Sequence, residues 1–191
     1  MLKNLSYLVS LALVLASAQS FACDIDGKTG FLPENNLKRA VDSKMGSDMT
    51  EERFNDIIDK ADAVYAPIIK EMGGKLKWGR KWSTETVNAN ASRGWFGTWK
   101  VNMYGGLARH ELVTDDAFAM VVCHELGHHI GGAPKVGGAM AWAANEGQSD
   151  YFGTLKCFRR IYESDNNVAA VAKMTIPAIV TQKCSESFTL P

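Results

Sequence analysis

Neither sign of charge is in excess in this chain. Lysine and arginine together number 21, as do aspartate and glutamate, among 191 residues, so the basic footprint of a nucleic-acid binder is missing and nucleic acid is not an expected partner. The apolar run from Leu5 to about Ala18 falls short of the roughly 20 residues that a membrane-spanning helix needs. No repeat or long low-complexity linker divides the chain, which points to one domain with its own core. Cysteine is scarce, at Cys23, Cys123, Cys157 and Cys184 only. Histidine is equally scarce and very unevenly placed: of four in the chain, three fall inside "VVCHELGHHIGG" at 121–132, and none follows His129.

What is present at the N-terminus has the layout of a secretory signal peptide: Lys3, the apolar run, then small polar residues. Ser20 and Ala22 satisfy the small-x-small rule for cleavage after Ala22, giving the expected division into a signal peptide over 1–22 and a single domain over 23–191. The chain is therefore expected to be exported, to the periplasm or beyond. Cys23 would become the first residue and raises the alternative of a lipid anchor, but Ser20 and Phe21 fit a lipoprotein signal poorly, so simple export is preferred. In an oxidising compartment the cysteines can pair. Cys157 with Cys184 is the expected bridge, each near the end of a predicted helix, with Cys123 an apolar core thiol.

Apolar positions from Phe54 through Ile57, Ile58, Ala61, Val64, Ile68 and Ile69 to Met72 recur at helical spacing. Thr50 is the expected N-cap, Glu51 and Glu52 favour the positive end of the helix dipole, Pro67 should kink the helix, and Gly73-Gly74 should end it. Three runs with a period of two follow, "KLKW", "VNANA" and "WKVNMY", and read as strands of a small sheet. A last helix is expected at about 167–183.

Between sheet and C-terminus, Thr114-Asp115-Asp116 is a helix start and Gly131-Gly132 followed by Pro134 is a stop. Phe118, Ala119, Val122, Leu126 and Ile130 surround that helix with apolar side chains, as in a buried central helix. At about 100° per residue, His124 and His128 lie roughly 40° apart on one face, while Glu125 is turned by about 100°. This is the H-E-x-x-H arrangement, in which two neutral imidazoles hold zinc and the glutamate acts on the water at the metal. Two histidines so spaced can also be hydrogen-bonded core residues, so a third ligand is the deciding feature. His129 points away from the pair, and His110 lies outside the helix in a turn or strand end.

The stretch "AWAANEGQSDYFGTLKC" offers that ligand. A helix over about 139–160 would carry Glu146 and Asp150 on one face, with Gly153 and Cys157 continuing it as small residues that allow close helix packing. Glu146 would be the third ligand. Asp150, one turn on, would accept the free ring N–H of a ligating histidine and fix its tautomer.

H-E-x-x-H followed by E-x-x-x-D resembles the gluzincin zinc metallopeptidases, and the order of an N-A-containing strand, a second strand, the H-E-L-G-H helix and the acidic pair is closest to the HtpX-like peptidases. The likeness covers about Val87 to Gly153. It implies an α+β, zincin-like fold in which a small sheet with an edge strand lies beside the buried H-E-x-x-H helix, with further helices after it. It also implies Zn²⁺ on His124, His128 and Glu146, Glu125 as general base, and Asp150 supporting a histidine ligand. The expected reaction is hydrolysis of a peptide or unfolded protein, lying extended beside the "GTWKVNMY" strand if that strand is the sheet edge. Thermolysin-like enzymes add a downstream histidine and tyrosine; here Tyr151, Tyr162, Arg159 and Arg160 stay open as substitutes. The alternative function is a non-hydrolytic zinc-binding adaptor or chaperone-like module, and a weaker one a zinc-free helical domain.

Overall fold

The computed structural model describes residues 20–21, 30–136 and 141–188. The expected signal peptide, apart from Ser20 and Phe21, and Cys23 lie outside the described residues. The chain divides into two compact units, Met1–Ile161 and Tyr162–Pro191.

In the first unit, helix α1 (Glu51–Glu71) starts where expected, the Thr50 side chain accepting from the Arg53 N–H at 3.2 Å. Its buried stripe is Phe54, Ile57, Ile58, Ala61, Tyr65 and Ile69. Tyr65 replaces Val64 and Ile68, which are half-buried, because the row advancing by three and four residues from Phe54 passes through it. The helix continues through Pro67. It ends at Gly73, whose φ of 79° reverses the chain while the Gly74 N–H caps the Ile69 carbonyl at 2.9 Å.

The sheet consists of β2 (Lys75–Lys81), β3 (Ala89–Arg93) and β4 (Thr98–Tyr104), with a two-residue strand β1 (Ser20–Phe21) added at one side. Its order is β1-β3-β4-β2, with β2 parallel and β3 antiparallel to β4. This corrects the expected edge position of "GTWKVNMY": β4 is paired on both sides. Alternation in a sequence tells which face of a strand is buried but not which strands flank it. The expected inner face is present, with Trp99, Val101 and Met103 of β4 buried beside Ala89 and Ala91 of β3.

A short helix α2 (Gly105–Ala108) leads to α3 (Asp115–Ile130), which the Thr114 side chain caps by accepting from the Ala117 N–H. Every residue of α3 from Val121 to His129 is buried, and Phe118 packs on Phe54 of α1 at 5.0 Å between ring centroids. The next helix starts later than expected. Ala144 remains extended, its N–H bonded to the His128 carbonyl at 2.9 Å, and Asn145 caps α4 (Glu146–Phe152). A π-helical turn (Gly153–Cys157) and α5 (Phe158–Ile161) continue it. Asn145 is a strong cap, so over Ala141–Ala144 helix propensity yields to the backbone bond; Ala139 and Met140 lie outside the described residues.

The expected Cys157–Cys184 bridge is also corrected. Cys123 and Cys157 form a disulfide with their Cα atoms 5.5 Å apart, and Cys184 is a free, exposed thiol. Cys123 is buried on α3 where the π-helical turn packs against it, so its partner was set by helix packing rather than by proximity to helix ends. In the second unit, α6 (Asn167–Val171) and α7 (Ala178–Ser187) replace the single helix expected at about 167–183. Pro177 at the start of α7 accounts for the break, since a proline disfavours helical geometry in the residue before it. Among the described residues no helix is long and apolar enough to cross a membrane.

Closing a loop between residues 34 positions apart should stabilise the native state by about 3–4 kcal/mol. Peptide mapping without reduction should recover Cys123 joined to Cys157 and Cys184 free to alkylate, and reduction should lower the urea midpoint accordingly.

Candidate metal centre

Helix α3 carries His124 and His128 one turn apart, and α4 brings the Glu146 carboxylate to them. The two Nε2 atoms are 3.1 Å apart. Glu146 Oε2 lies 3.0 Å from Nε2 of His124 and 3.8 Å from Nε2 of His128. One donor atom from each of the three residues falls within 4.8 Å of the other two.

The opposite ring nitrogens decide what those Nε2 atoms are. His128 Nδ1–H donates to the Ala144 carbonyl at 2.9 Å, and Ser149 Oγ lies 3.0 Å away. His124 Nδ1–H donates to Asp150 Oδ1 at 2.8 Å. A carbonyl and a carboxylate only accept, so the proton of each neutral ring sits on Nδ1 and the lone pair on Nε2. With both rings neutral, two lone pairs and a carboxylate oxygen thus face a common point. That set favours a positive charge at the point, which either a proton on His124 Nε2 or a divalent cation can supply. The group could hold a metal ion.

Burial is uneven across the centre. The side chains of His124 and His128 are 6% and 0% exposed, against 52% for Glu146, so the carboxylate, unlike the two rings, stands at the surface. Burial opposes a charge on His124, but the carboxylates of Glu146, Glu125 and Asp150 outweigh it and raise its pKa to about 8. At His128 burial dominates, the His124 charge adds to it, and the pKa is pushed below its ordinary value. The negative charge gathered here is therefore felt as an attraction for one cation, which the two rings cannot both supply as protons.

The helices approach closely because small residues meet. A Cβ on Gly127 would come within 2.8 Å of the Ser149 Cα, and one on Gly153 within 3.3 Å of the His124 N. Gly153 was expected in this role; Gly127, inside H-E-L-G-H, was overlooked, although a glycine within a buried helix is itself a signal of close approach. Glu125 is fully buried next to His124 and outside the triad.

His129 points away as expected. It is sandwiched between Trp99 and Trp142, at 5.5 and 4.9 Å between centroids, with Nε2–H donating to the Lys100 carbonyl at 3.2 Å. Burial pushes its pKa down to about 3, so it is a neutral packing residue. His110 accepts from the Leu112 N–H through Nδ1 at 3.3 Å, a local turn contact. Tyr151, Arg159 and Arg160 are exposed.

Sequence reasoning also missed an apolar cavity of about 370 Å³ next to His124, lined by Phe31, Leu107, Val113, Met120 and Val121 among others. The Phe31 ring meets the edge of the His124 ring at 5.2 Å. Its backbone N–H bonds the Ala89 carbonyl of β3 at 2.7 Å, which anchors the wall it forms. Nothing in local pattern marks Phe31, because its contacts lie far along the chain.

No known protein family, curated protein or solved structure matches the chain.

Replacing Asp150 by Asn should weaken binding of a divalent transition-metal ion by about 10–100-fold, read by chelator competition. Gly127→Ala should separate α3 from α4, lowering stability by about 1–3 kcal/mol and weakening metal binding as well; unchanged affinity in that variant would show that the close approach is not what assembles the triad.

Proposed function

We propose that this chain is an exported zinc-dependent metallopeptidase of zincin-like fold, allied to the gluzincins, that hydrolyses peptide bonds in peptides or unfolded proteins. The observation that carries the reading is the convergence of His124 Nε2, His128 Nε2 and Glu146 Oε2, with Glu125 next to the first histidine and the Glu146 carboxylate at the surface. Two imidazoles and one carboxylate with a position left open is the ligand set of a catalytic rather than a structural zinc. Zinc held there would supply Lewis acidity toward water and the scissile carbonyl.

The protein's own groups do the rest. Asp150 and the Ala144 carbonyl keep both histidines in the tautomer that presents Nε2. Glu125 takes the proton of the attacking water and returns it to the leaving amine. The cavity walled by Phe31 and Met120 would accept an apolar side chain of the substrate. Since β4 is interior and β3 is paired with β1 on its outer side, a substrate strand could add beside β3 only once β1, which lies in the expected signal peptide, is removed. The Cys123–Cys157 disulfide supports export, because such bridges persist in oxidising compartments.

Purified protein should bind one zinc ion and cleave an unstructured peptide. Glu125→Gln should keep the zinc and lose about 10²–10⁴-fold in turnover, whereas Glu146→Ala should lose the zinc as well. Zinc in wild type and Glu125→Gln alike, with cleavage by neither, would replace this reading by that of a non-hydrolytic zinc-binding adaptor.

A further inference from the structure

The turn between β3 and β4, "GWFG" at 94–97, has no part in the metal centre. Phe96 is 100% exposed and Trp95 47% exposed. Phe96 also has φ of 58°, the left-handed region that a bulky residue rarely occupies. The turn is not loose: Gly94 N–H donates to the Thr98 carbonyl at 2.8 Å and Lys75 N–H to the Gly97 carbonyl at 2.8 Å. The second of these bonds sets the end of α1 beside the turn, where Met72 is 54% exposed. A ring held fully in water at a strained backbone position gains nothing from folding, and such an outlier points to a use.

The charge around it is mainly positive. Register puts Lys75, Lys77 and Lys81 of β2 on the outer face of the sheet with Lys100 of β4, Lys77 directly beside Lys100. None of β2, β3 and β4 contains an acidic residue. Of the cations on the inner face, Arg80 is paired with Asp59 and Arg93 lies over the Trp99 and Trp142 rings, while Lys75, Lys77 and Lys100 are exposed. Glu71, next to Met72, is the one carboxylate of the adjoining helix end. Like charges on adjacent strands repel, and an anionic surface relieves that repulsion.

We propose that this end of the first unit docks on an anionic lipid surface, with Phe96 and Trp95 entering the headgroup region and Lys75, Lys77 and Lys100 facing the lipid phosphates. Aromatic side chains favour the membrane interface, and lysines beside them add attraction that salt screens. The inference is independent of the metal centre and of any hydrolytic activity.

The test is co-sedimentation of the exported chain with vesicles of phosphatidylcholine alone or mixed with phosphatidylglycerol. Mass spectrometry of the N-terminus shows whether the Leu5–Ala18 run or an acyl group on Cys23 remains, and wild type and variants must share the same N-terminus. Asparagine tolerates the left-handed region, so Phe96→Asn should fold unchanged, as thermal unfolding will verify, and should bind mixed vesicles about tenfold more weakly. Lys77→Glu with Lys100→Glu should weaken binding similarly, and wild-type binding should fall as salt rises. Equal binding by wild type and Phe96→Asn, or no preference for the anionic vesicles, overturns the proposal. Failure of the wild type to bind either vesicle does so too, and would leave the turn as a contact for a protein.

Discussion

Two imidazole lone pairs and a carboxylate oxygen, aimed at one point from two packed helices, demand a positive charge. The histidine nitrogens are 3.1 Å apart, and the groups behind them, the Asp150 carboxylate and the Ala144 carbonyl, force both protons to the far side of the rings. Within the protein one proton can ease it: the carboxylates raise the pKa of His124 to about 8, so its Nε2 can donate to Glu146 while its Nδ1 donates to Asp150. A divalent cation could engage all three groups at once.

Much of the surrounding structure keeps those groups at that distance. Gly127 lets the Ser149 backbone approach α3, Gly153 lets the next turn lie against His124, and the Cys123–Cys157 bridge ties the same two segments beside the site. The late start of α4 belongs to this arrangement: by staying extended, Ala144 bonds the α3 backbone through its N–H and orients His128 through its carbonyl. On the other side of α3, His129 is clamped between two tryptophans, so the helix cannot rotate about its axis without breaking that stack.

The fold was legible where local rules act. Thr50 and Thr114 cap helices because their hydroxyls satisfy backbone N–H groups two or three residues on, and alternation identified the buried face of β4. The site was legible for a related reason, since His124 with His128 and Glu146 with Asp150 are each one helical turn apart. The partner of Cys123, the flanks of β4 and the role of Phe31 were not legible. Each depends on a neighbour brought up by packing, about which residues nearby in the chain carry no information.

What the amino-acid order alone determined is therefore the content of each face: which side chains share one side of a helix or strand, and which residues begin it, because backbone periodicity and capping act over a few residues. Tertiary structure decided which faces meet. Small residues, the Ala144 carbonyl and the Cys123–Cys157 bridge hold α4 on α3, and only that contact gathers two separate pairs of polar side chains into one group that could hold a metal ion.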